Sequence, residues 1–527
     1  RMGDFFELFF EDALEAAELI GLTLTSRDVL DRGKRIPMAG VPARAVDGYV
    51  AQVIKAGRTV TLCDQIEDPK FAKGIVKRQV VRTVTPGTVL EPDLLEERAN
   101  NYLGAVAVSE RAVGLAFLDM TTGEFLAARM EGVLERALAD ELTRMAPAEV
   151  LVDASWEGPL RETLRRAFPS IAFTARPEHE FAQDAAAEIL HSHFGLSTLK
   201  GLDLDDAPEA VACAGAILAY IRATQRGNVP DLRFPRRYNP SGFVVIDGNT
   251  QRNLELVASM GDKSKRGTLL GVLDKTFTSM GARKLRQWIL HPLIDVDAIR
   301  ARLAAVEAFF NDGEARMRLR NALKSVADLE RLLGRITAKS GNARYVKALG
   351  RSLGGVPALR DGIGAYEAPL LRELFEDMDE LRDVAEWIER AIVDEPPLAV
   401  TEGDFIQDGY DAELDRLRGL VRGGRDWIAT LRNEERARTG IQNLKIAYNK
   451  VFGYYIEVSR GNVGLVPADY ERKQTLVNAE RYVTPALKAR EEEILTAQER
   501  MQTLEYELFA ALRDRIAAEA RRIQESA

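Results

Sequence analysis

The sequence predicts a multidomain protein of class α/β plus α, in which two mixed units precede a long helical region that carries a small β insertion. Three observations predict this class. The chain has 527 residues, and at roughly 150 residues a domain this length favours three to four domains. Residues 1–226 alternate short apolar strand patterns with amphipathic helices, whereas residues 249–420 are almost wholly helical in pattern. Residues 440–482 return to strand patterns before a last helical run.

Composition indicates a soluble, folded protein. The formal net charge is -9, with 46% hydrophobic and 29% charged residues. No apolar run reaches the roughly 18 residues that a membrane-spanning helix needs. Cys63 and Cys213 are the two cysteines, which excludes a disulfide scaffold and a Cys-built zinc site and suits the reducing cytoplasm. The 4 histidines are too few for a His-rich metal enzyme.

Two α/β units precede the helical region. In residues 1–86 we expect elements at Phe5–Phe10, Glu11–Ile20, Thr59–Cys63 and Val80–Thr85, with Gly21 as a helix C-cap. Residues 89–101 are polar and are interpreted as a linker. In residues 102–226 we expect strands at Gly104–Val108, Val113–Met120 and Glu124–Arg129, followed by helices such as Val133–Met145.

The last segment, residues 484–527, predicts one long helix. Leu487, Ile494, Met501 and Leu508 recur at every seventh position. At about 1.5 Å per residue such a helix is on the order of 60 Å long, which is typical of a lever or a coiled-coil arm. The β insertion would form the tip of this arm. Because the chain starts at Arg1 without a Met and ends inside a helical pattern, we expect a fragment of a longer protein.

Local charge departs from the acidic total. Residues 27–82 hold 12 basic and 6 acidic side chains, a net of +6, and residues 436–482 hold 8 and 4, a net of +4. Two basic regions at opposite ends of an acidic body could grip a polyanion in two places. They could equally be ordinary solvated surface, and composition alone leaves both interpretations open.

The segment Phe5–Phe10 places an unusual set of side chains on one strand face. Phe5, Glu7 and Phe9 would share that face, opposite a core-facing set of Phe6, Leu8 and Phe10. One interpretation is an edge strand with Glu7 in solvent. The other is a wedge, in which Phe5 slips between base steps of DNA and Glu7 meets a base edge. Unstacking costs less where a pair is already mismatched, so such a wedge would discriminate.

Specific strings spread over the whole chain resemble the MutS family of bacterial DNA mismatch-repair sensors. They are RMGDFFELFFEDA at the start, IPMAGVP at 36–42, VVRTVTPGT at 80–88, TLLGVLDKTFTSMGARKLRQWILHPL at 268–293, FGYYIEVSRG at 452–461 and QTLVNAERYVTPALK at 474–488. The Phe-x-Glu mismatch motif of the family falls on Phe5 and Glu7. Phe6 stands where the family usually has Tyr, at a core-facing position.

The resemblance implies a domain plan. Residues 1–86 would be the mismatch-binding domain and 102–226 a connector with an RNase H-like fold. The helical core and levers would comprise 240–424 and 485–527, and a clamp, 425–484, would be inserted between the lever helices. Phe5 would stack on the mispaired base while Glu7 hydrogen-bonds it.

Further basic and polar side chains are implied as contacts to the DNA backbone. In the first domain these are Lys34, Arg35, Arg44, Lys73, Lys77 and Arg78, and in the clamp they are Lys445, Lys450, Arg472, Lys473, Gln474, Thr475 and Asn478. Such residues neutralise phosphates and position the backbone without reading sequence. Specificity would then come from the deformability of the mispaired site.

The resemblance also implies partners and a cofactor. The family binds duplex DNA with mismatches or small loops, forms a homodimer, engages a MutL-type factor through the connector and core, and acts in the bacterial cytoplasm at the nucleoid. Full-length members end in an ABC-type ATPase domain that uses ATP and Mg²⁺. A phosphate-cradling loop needs G-x-x-x-x-G-K-[ST], whereas Gly33-Lys34 is followed here by Arg35. We therefore expect this chain to hold no cofactor, metal or catalytic residue.

Two rival functions stay open. A metal-dependent nuclease could use Asp119 on an early connector strand with the acidic group Asp203, Asp205 and Asp206, if these carboxylates converge; otherwise Asp119 opens a turn and the group lies in a solvated loop. His191 and His193 are interpreted as surface histidines. The second rival is a branched-DNA-binding relative, which would lack the wedge pair. The large apolar side chains of the helical region, Phe277, Met280, Trp288, Phe309 and Phe310, are interpreted as core packing.

Overall fold

The computed structural model describes residues 1–29, 35–65, 76–132, 135–156, 158–226, 229–449 and 453–527. The chain divides into two compact units. Unit 1 comprises Arg1–Gly341, Ala348–Ala385 and Ile516–Ala527, and unit 2 comprises Asn342–Lys347 and Glu386–Arg515. The predicted class, multidomain mixed α/β with many helices, is confirmed. Within the described residues, no helix is long and apolar enough to cross a membrane.

Unit 1 begins with a small mixed α/β domain. Its elements are β1 (Phe5–Phe9), α1 (Phe10–Ile20), β2 (Thr25–Val29), β3 (Arg35–Pro42), α2 (Val46–Lys55), β4 (Val60–Gln65) and β5 (Arg78–Val84). An antiparallel sheet of order β1-β3-β2 lies beside a separate β4–β5 hairpin. Gly21 ends α1 with φ 69°, as predicted. The predicted strand is one residue too long, because Phe10 takes φ 54° and opens α1 instead.

A six-stranded mixed sheet forms the second domain, and the predicted strands lie in it. Its elements are β6 (Tyr102–Val108), β7 (Ala112–Asp119), β8 (Phe125–Glu131), α3 (Glu135–Met145), β9 (Glu149–Asp153), α4 (Pro159–Ala167), β10 (Ala172–Arg176), α5 (Gln183–Phe194), α6 (Pro208–Gln225) and β11 (Arg236–Arg237). The strand order is β10-β9-β6-β7-β8-β11. Strands β6, β7 and β8 form an antiparallel meander, and β9 runs parallel to both β6 and β10.

The apolar helix α6 lies very close to this sheet and to α5. A Cβ added at Gly114 of β7 would lie 2.2 Å from the carbonyl carbon of Glu209, and one at Gly215 would lie 2.3 Å from Ala186 Cβ. Only glycine permits both approaches. All eight residues of β7 are buried in consequence.

The predicted linker at 89–101 is a strap held against the helical region. Arg331 donates to the carbonyl oxygens of Glu96 and Ala99 at 3.1 and 2.6 Å. Arg283 donates to the carbonyl of Glu97 at 3.0 Å while its guanidinium pairs with Asp328 and Glu330. In return, Arg98 of the strap pairs with Asp274 at 2.8 Å. The segment is therefore tied down along its length.

The helical region of the chain begins with short helices. They are α7 (Gly248–Asn253), α8 (Leu269–Leu273), α9 (Ser279–Leu290), α10 (Val296–Asn311), α11 (Gly313–Leu323), α12 (Leu329–Thr337), α13 (Ala343–Leu353), α14 (Val356–Ile363), α15 (Pro369–Asp377) and α16 (Arg382–Ala391). Side-chain oxygens cap many of their N-termini, as Thr278, Asp295 and Asp312 do for α9, α10 and α11. Such caps satisfy backbone amides that the first helical turn leaves without partners.

The core interpretation of the large aromatic side chains is wrong for three of them. Phe310 is 77% exposed, Phe277 39% and Trp288 36%. Guanidinium groups cover two of these rings, since Arg320 Cζ lies 4.4 Å from the Phe277 ring centre and Arg302 Cζ 3.8 Å from that of Trp288. Cation–π contact thus replaces burial at these positions.

Unit 2 contains most of two long helices with a four-stranded sheet inserted between them. The elements are α17 (Ala412–Thr439), β12 (Lys445–Asn449), β13 (Gly453–Ser459), β14 (Glu471–Thr475), β15 (Ala479–Val483) and α18 (Pro485–Ala518), and α19 (Ala520–Ser526) ends the chain. The sheet is antiparallel in the order β12-β13-β15-β14. An arm with a β tip was predicted, and the fold of unit 2 agrees with that outline.

The two long helices pack antiparallel through an apolar seam. Leu417 and Val421 of α17 meet Ala497 and Met501 of α18. The seven-residue repeat is confirmed as the packed side of α18, since Leu487 and Ile494 are buried. The predicted single helix is divided, however, because Glu519 separates α18 from α19. The 34 residues of α18 make it about 51 Å long at ~1.5 Å per residue.

Candidate nucleic-acid interface

Strand β1 presents Phe5 and Glu7 on one face, as alternation predicts. It pairs antiparallel with β3, so that Phe5 lies opposite Pro42 and Glu7 opposite Gly40. A Cβ added at Gly40 would lie 3.8 Å from Phe5 Cδ1 and 3.9 Å from Glu7 Cγ. Gly40 therefore lies between the two side chains on their own face, and its missing side chain leaves the space beside them open.

A cavity of about 490 Å³ lies beside β1. It is lined by Phe6, Glu7, Leu8 and Phe9 of the strand together with Val41, Val50 and residues of β4. Phe6 and Leu8 are half-buried, in agreement with the prediction that they face the core, but Glu7 and Phe9 line the same cavity. Phe10 also lines the cavity, but it is 49% exposed, so its predicted burial is wrong.

The backbone that carries Phe5 is held in a tight turn. Met2 donates its amide to the carbonyl of Phe5 at 2.7 Å and accepts from the Phe5 amide at 3.3 Å. Gly3 supplies the φ of 59° that this turn needs. The carbonyl of Asp4 accepts from the amide of Ala43 at 2.8 Å. The ring of Phe5, 46% exposed, is thus an apolar group on a fixed support, which suits insertion between bases.

Basic side chains lie around this strand. Arg44 is exposed in the 3₁₀ turn Ala43–Ala45, two residues beyond the partner of Phe5. Arg35 and Lys77 are exposed as well. Arg78 donates to the main-chain carbonyls of Arg1 and Val76 at 3.1 and 3.2 Å. These hydrogen bonds within the protein compete with its predicted contact to a DNA phosphate. Lys34 and Lys73 lie outside the described residues.

The β14–β15 hairpin carries most of the predicted clamp contacts. A register shift between Arg472 and Gln474 leaves Lys473 as the extra residue of a β-bulge. The amide of Leu476 donates to the carbonyl of Ala479 at 2.8 Å and closes the tip. Lys445, Arg472, Lys473, Thr475 and Asn478 are exposed on the sheet and at this tip. Lys450 lies outside the described residues.

These side chains differ in the internal contacts that a DNA phosphate would have to displace. Lys473 pairs with the exposed Glu471 at 2.7 Å, a surface contact that costs little to exchange for a phosphate. Gln474 is half-buried, and its oxygen accepts from Arg481 at 2.9 Å. Arg481 also pairs with Glu457. Gln474 and Arg481 are thus engaged within the sheet, whereas Lys473 faces outward.

Arg460 belongs to this tip, although the sequence analysis did not select it. Its Nη1 donates to the carbonyl of Val477 at 3.2 Å, and its amide donates to the carbonyl of Asn478 at 3.1 Å. Val477, at the turn itself, is 82% exposed. The only signal in the sequence was that Arg460 follows β13 within a basic segment. The structure shows that it holds the turn in shape.

An aromatic and charged cluster lies at the base of the four-stranded sheet, with Tyr470 buried and Arg438 and Asp469 partly exposed. Tyr470 donates to Glu435 at 2.8 Å, and Arg438 pairs with both Glu435 and Asp469. Hydrogen bonding from Arg438 lowers the pKa of Asp469. Burial, together with the hydrogen bond to Glu480, raises the pKa of Tyr482 to about 12. These contacts tie the sheet to the C-terminal end of α17, which carries Glu435 and Arg438.

The carboxylates proposed for a nuclease do not form a site. Asp119 is fully buried, and its oxygens accept from Asn100, from the amide of Asn101 and from both donors of Thr121 at 2.6–3.2 Å. Asp206 pairs with Arg237 at 2.5 Å. Among the described residues, no group of His, Cys, Asp or Glu could hold a metal ion. The nuclease interpretation is not supported, and Asp119 instead organises the turn that follows β7.

Comparisons with known proteins point to one family. The chain matches MutS domain I over residues 1–93, MutS domain II over 101–233 and MutS domain III over 249–527. It is similar to the DNA mismatch repair protein MutS of Symbiobacterium thermophilum, with 46% identity over the whole chain and 60% of that relative. The MutS proteins of Pelotomaculum thermopropionicum and Methanosarcina barkeri are 43% and 42% identical, with 61% and 60% of their lengths covered. The chain thus spans about 60% of the length of these curated relatives.

Proposed function

The chain belongs to the MutS family, and on that premise we propose that it binds mismatched or unpaired bases in duplex DNA to initiate mismatch repair. The observation that carries the proposal is the shared open face of Phe5 and Glu7 beside Gly40. Phe5 inserts at the mispair and stacks on a base. Glu7, held two residues away on the same strand, accepts a hydrogen bond from that base or donates one when protonated.

The proposed domain plan follows from the elements. Residues 1–86 act as the mismatch-binding domain and 102–226 as the connector. The order β8-β7-β6-β9-β10, with an antiparallel meander joined to parallel strands, supports an RNase H-like assignment. Residues 240–424 and 485–527 form the core and levers, and 425–484 the clamp, in agreement with the sheet inserted between α17 and α18.

The clamp and the basic residues near the wedge hold the DNA backbone. Exposed cations supply the charge, and the exposed Thr475 and Asn478 supply neutral donors. Gln474, whose oxygen accepts from Arg481, would contribute through its amide NH₂ group. None of these contacts would read base sequence, which suits a protein that must act in any sequence context. The proposed backbone contacts are Lys34, Arg35, Arg44, Lys73, Lys77, Arg78, Lys445, Lys450, Arg472 and Lys473.

ATP and Mg²⁺ do not fit the residues of this chain. Its Gly33-Lys34 pair is followed by Arg35 and is not part of a phosphate-cradling sequence. Since the relatives are longer, we propose that their ATPase function lies in the part not covered here. Homodimer formation by the full-length protein and contact with a MutL-type factor through the connector and core are further proposals.

A binding titration tests the proposed function. The chain is titrated with a duplex that holds one G·T mismatch and with its matched twin, each at two salt concentrations. We expect tighter binding to the mismatch. Phe5→Ala should lower the affinity for the mismatch by about tenfold or more, since stacking on one base is worth ~1–3 kcal/mol. The same variant should change matched binding little.

Phe10→Ala is the matched control. Phe10 has similar exposure to Phe5 but lies beyond β1, at the first position of α1, so its loss should leave the preference intact. Equal binding of both duplexes by the unmodified chain would contradict mismatch recognition. Tighter binding to a branched duplex than to the mismatch would favour the branched-DNA-binding alternative.

A further inference from the structure

A cavity of about 540 Å³ opens in the second domain, at the carboxyl ends of β6 and β9. The two strands run parallel, so their last residues, Val108 and Asp153, lie at the same edge of the sheet. Pro208 and Glu209 at the start of α6 also line the cavity. It shares no lining residue with the cavity beside β1, so the proposed mismatch contacts do not use it.

The chain leaves the neighbouring parallel strands β9 and β10 toward opposite faces of the sheet. Trp156, which follows β9, packs with Leu138 and Leu164 of α3 and α4 on one face. Phe181, which follows β10, packs with α5 and α6 on the other face. Such a divergence opens a crevice at the carboxyl ends of parallel strands, and small ligands bind preferentially in that crevice.

The cavity is lined by two aromatic side chains and by a carboxylate that lacks a cation. Trp156 and Phe181 supply the rings. The carboxylate of Asp153 is half-buried, and one of its oxygens accepts from the amide and the hydroxyl of Ser155 at 2.8 and 2.9 Å. Within the described residues, its other oxygen accepts no hydrogen bond and Asp153 forms no ion pair. That oxygen can accept from an N–H group of a ligand.

The charge of the lining favours a neutral ligand over a phosphate. The second carboxylate, Glu209, is already occupied, since it accepts from Ser109 at 2.8 Å and from Arg129 at 3.0 Å. No Lys or Arg is among the described residues that line the cavity. A phosphate would therefore meet no cation there and would be repelled by Asp153.

We propose that this cavity binds a guanine nucleoside, whose base stacks on Trp156 and Phe181 and donates to Asp153. Aromatic side chains are the usual platforms for a flat base. Guanine presents two N–H donors side by side, whereas adenine and cytosine place a ring-nitrogen acceptor beside their amino group, where it would repel a carboxylate. The side-chain amide of Gln183, in the same cavity, can donate to the carbonyl oxygen of guanine. This binding requires neither DNA nor the proposed mismatch wedge.

Equilibrium dialysis of the 527-residue chain against radiolabelled guanosine tests the proposal. We expect a dissociation constant of about 10–500 µM, the range of a small neutral ligand with few polar contacts. Inosine, which lacks only the 2-amino group, should bind about tenfold more weakly, because a hydrogen bond to a carboxylate is lost. Guanosine 5′-monophosphate should bind about threefold or more weakly, since its phosphate finds no cation. Tighter binding of the monophosphate, equal binding of inosine, or no guanosine binding up to ~1 mM overturns the proposal.

Asp153→Asn should weaken guanosine binding about tenfold or more, because it removes the charged acceptor. The amide oxygen of the variant still accepts from Ser155, so far-ultraviolet circular dichroism should not change. Asp205→Asn is the matched control, since Asp205 is exposed in the loop before α6 and does not line the cavity. Unchanged binding in Asp153→Asn overturns the assignment. So does displacement of guanosine by a mismatched duplex, which would place the nucleoside at the DNA-binding residues.

Discussion

Glu505 and Glu149 are buried carboxylates whose donors lie within the fold. Glu505 accepts the amides of Asp404, Phe405 and Ile406 at 2.9–3.0 Å and pairs with Arg418 at 2.8 Å. Glu149 accepts from two hydroxyl groups, a phenol and the amide of Gly87. Such residues fix backbone segments, and their removal leaves buried donors without partners. Glu7 differs in position, because it lies on strand β1 beside the exposed Phe5 and opposite Gly40.

Lys473 is the residue whose predicted contact to the DNA backbone can be measured most directly. Its ammonium group lies on an outward β-bulge and pairs only with exposed Glu471 among the ion pairs described. We predict that Lys473→Ala weakens binding to matched and mismatched duplexes equally. The slope of log affinity against log salt should fall by about one, because one phosphate contact is lost.

The control for Lys473 is another exposed cation of unit 2. Arg500 on α18 is 65% exposed in its side chain and lies 3.7 Å from Glu413, away from the clamp sheet. Arg500→Ala should leave both the affinity and the salt slope unchanged. If Lys473→Ala reduced mismatch binding alone, Lys473 would be a recognition residue and its assignment to the DNA backbone would be wrong.

At the scale of elements, the strap at 89–101 gives a prediction about local stability. Arg331 holds the carbonyls on both sides of Arg98. Arg331→Ala should lower the free energy of local opening by about 1–2 kcal/mol, the usual worth of such hydrogen bonds. Trypsin should then cleave after Arg98 about fivefold to thirtyfold faster, since cleavage follows the population of the open strap.

Arg318→Ala serves as the proteolysis control, because Arg318 lies on exposed α11 and does not contact the strap. Its cleavage rate after Arg98 should equal that of the unmodified chain. An unchanged rate in Arg331→Ala would mean that Arg283 and the Arg98–Asp274 pair are sufficient to hold the strap.

Local pattern predicted the elements well and their long-range contacts poorly. Alternation placed Phe5 and Glu7 on one face, and the seven-residue repeat identified the packed side of α18. Residues 89–101 are interpreted as a linker from their polar composition alone, because the arginines that bind this strap lie more than 180 positions away along the chain. Neither the β-bulge at Lys473 nor the turn held by Arg460 has a periodic signal, since each depends on a neighbouring strand.

The same limit explains the errors on single side chains. Phe310 and Trp288 were assigned to the core on residue type, but burial depends on which faces of a helix have neighbours, and residue type does not contain that information. Arg78 was assigned to phosphate contact on charge, yet its guanidinium binds two carbonyls. The family resemblance supplied roles for Phe5 and Glu7 that physical pattern alone left open between a wedge and a plain edge strand.

At the scale of the whole molecule, the proposed tasks fall in separate units. Phe5, the proposed wedge residue, belongs to unit 1, and Lys473, the proposed backbone contact, belongs to unit 2. The chain is acidic overall, at -9, so non-specific attraction to DNA depends on local basic segments rather than on net charge. Specificity would then come from unit 1, while much of the charge-dependent affinity would come from unit 2.

This division predicts independence between the two sites. In a double-mutant cycle, the loss of free energy from Lys473→Ala should be the same in the Phe5→Ala background as in the unmodified chain. The coupling should stay below about 0.5 kcal/mol for matched and mismatched duplexes, as expected for sites without shared partners. A coupling above about 1 kcal/mol with the mismatched duplex alone would contradict independence. It would mean that the clamp closes on the DNA only after Phe5 has entered the base stack, and recognition would then be a property of both units together.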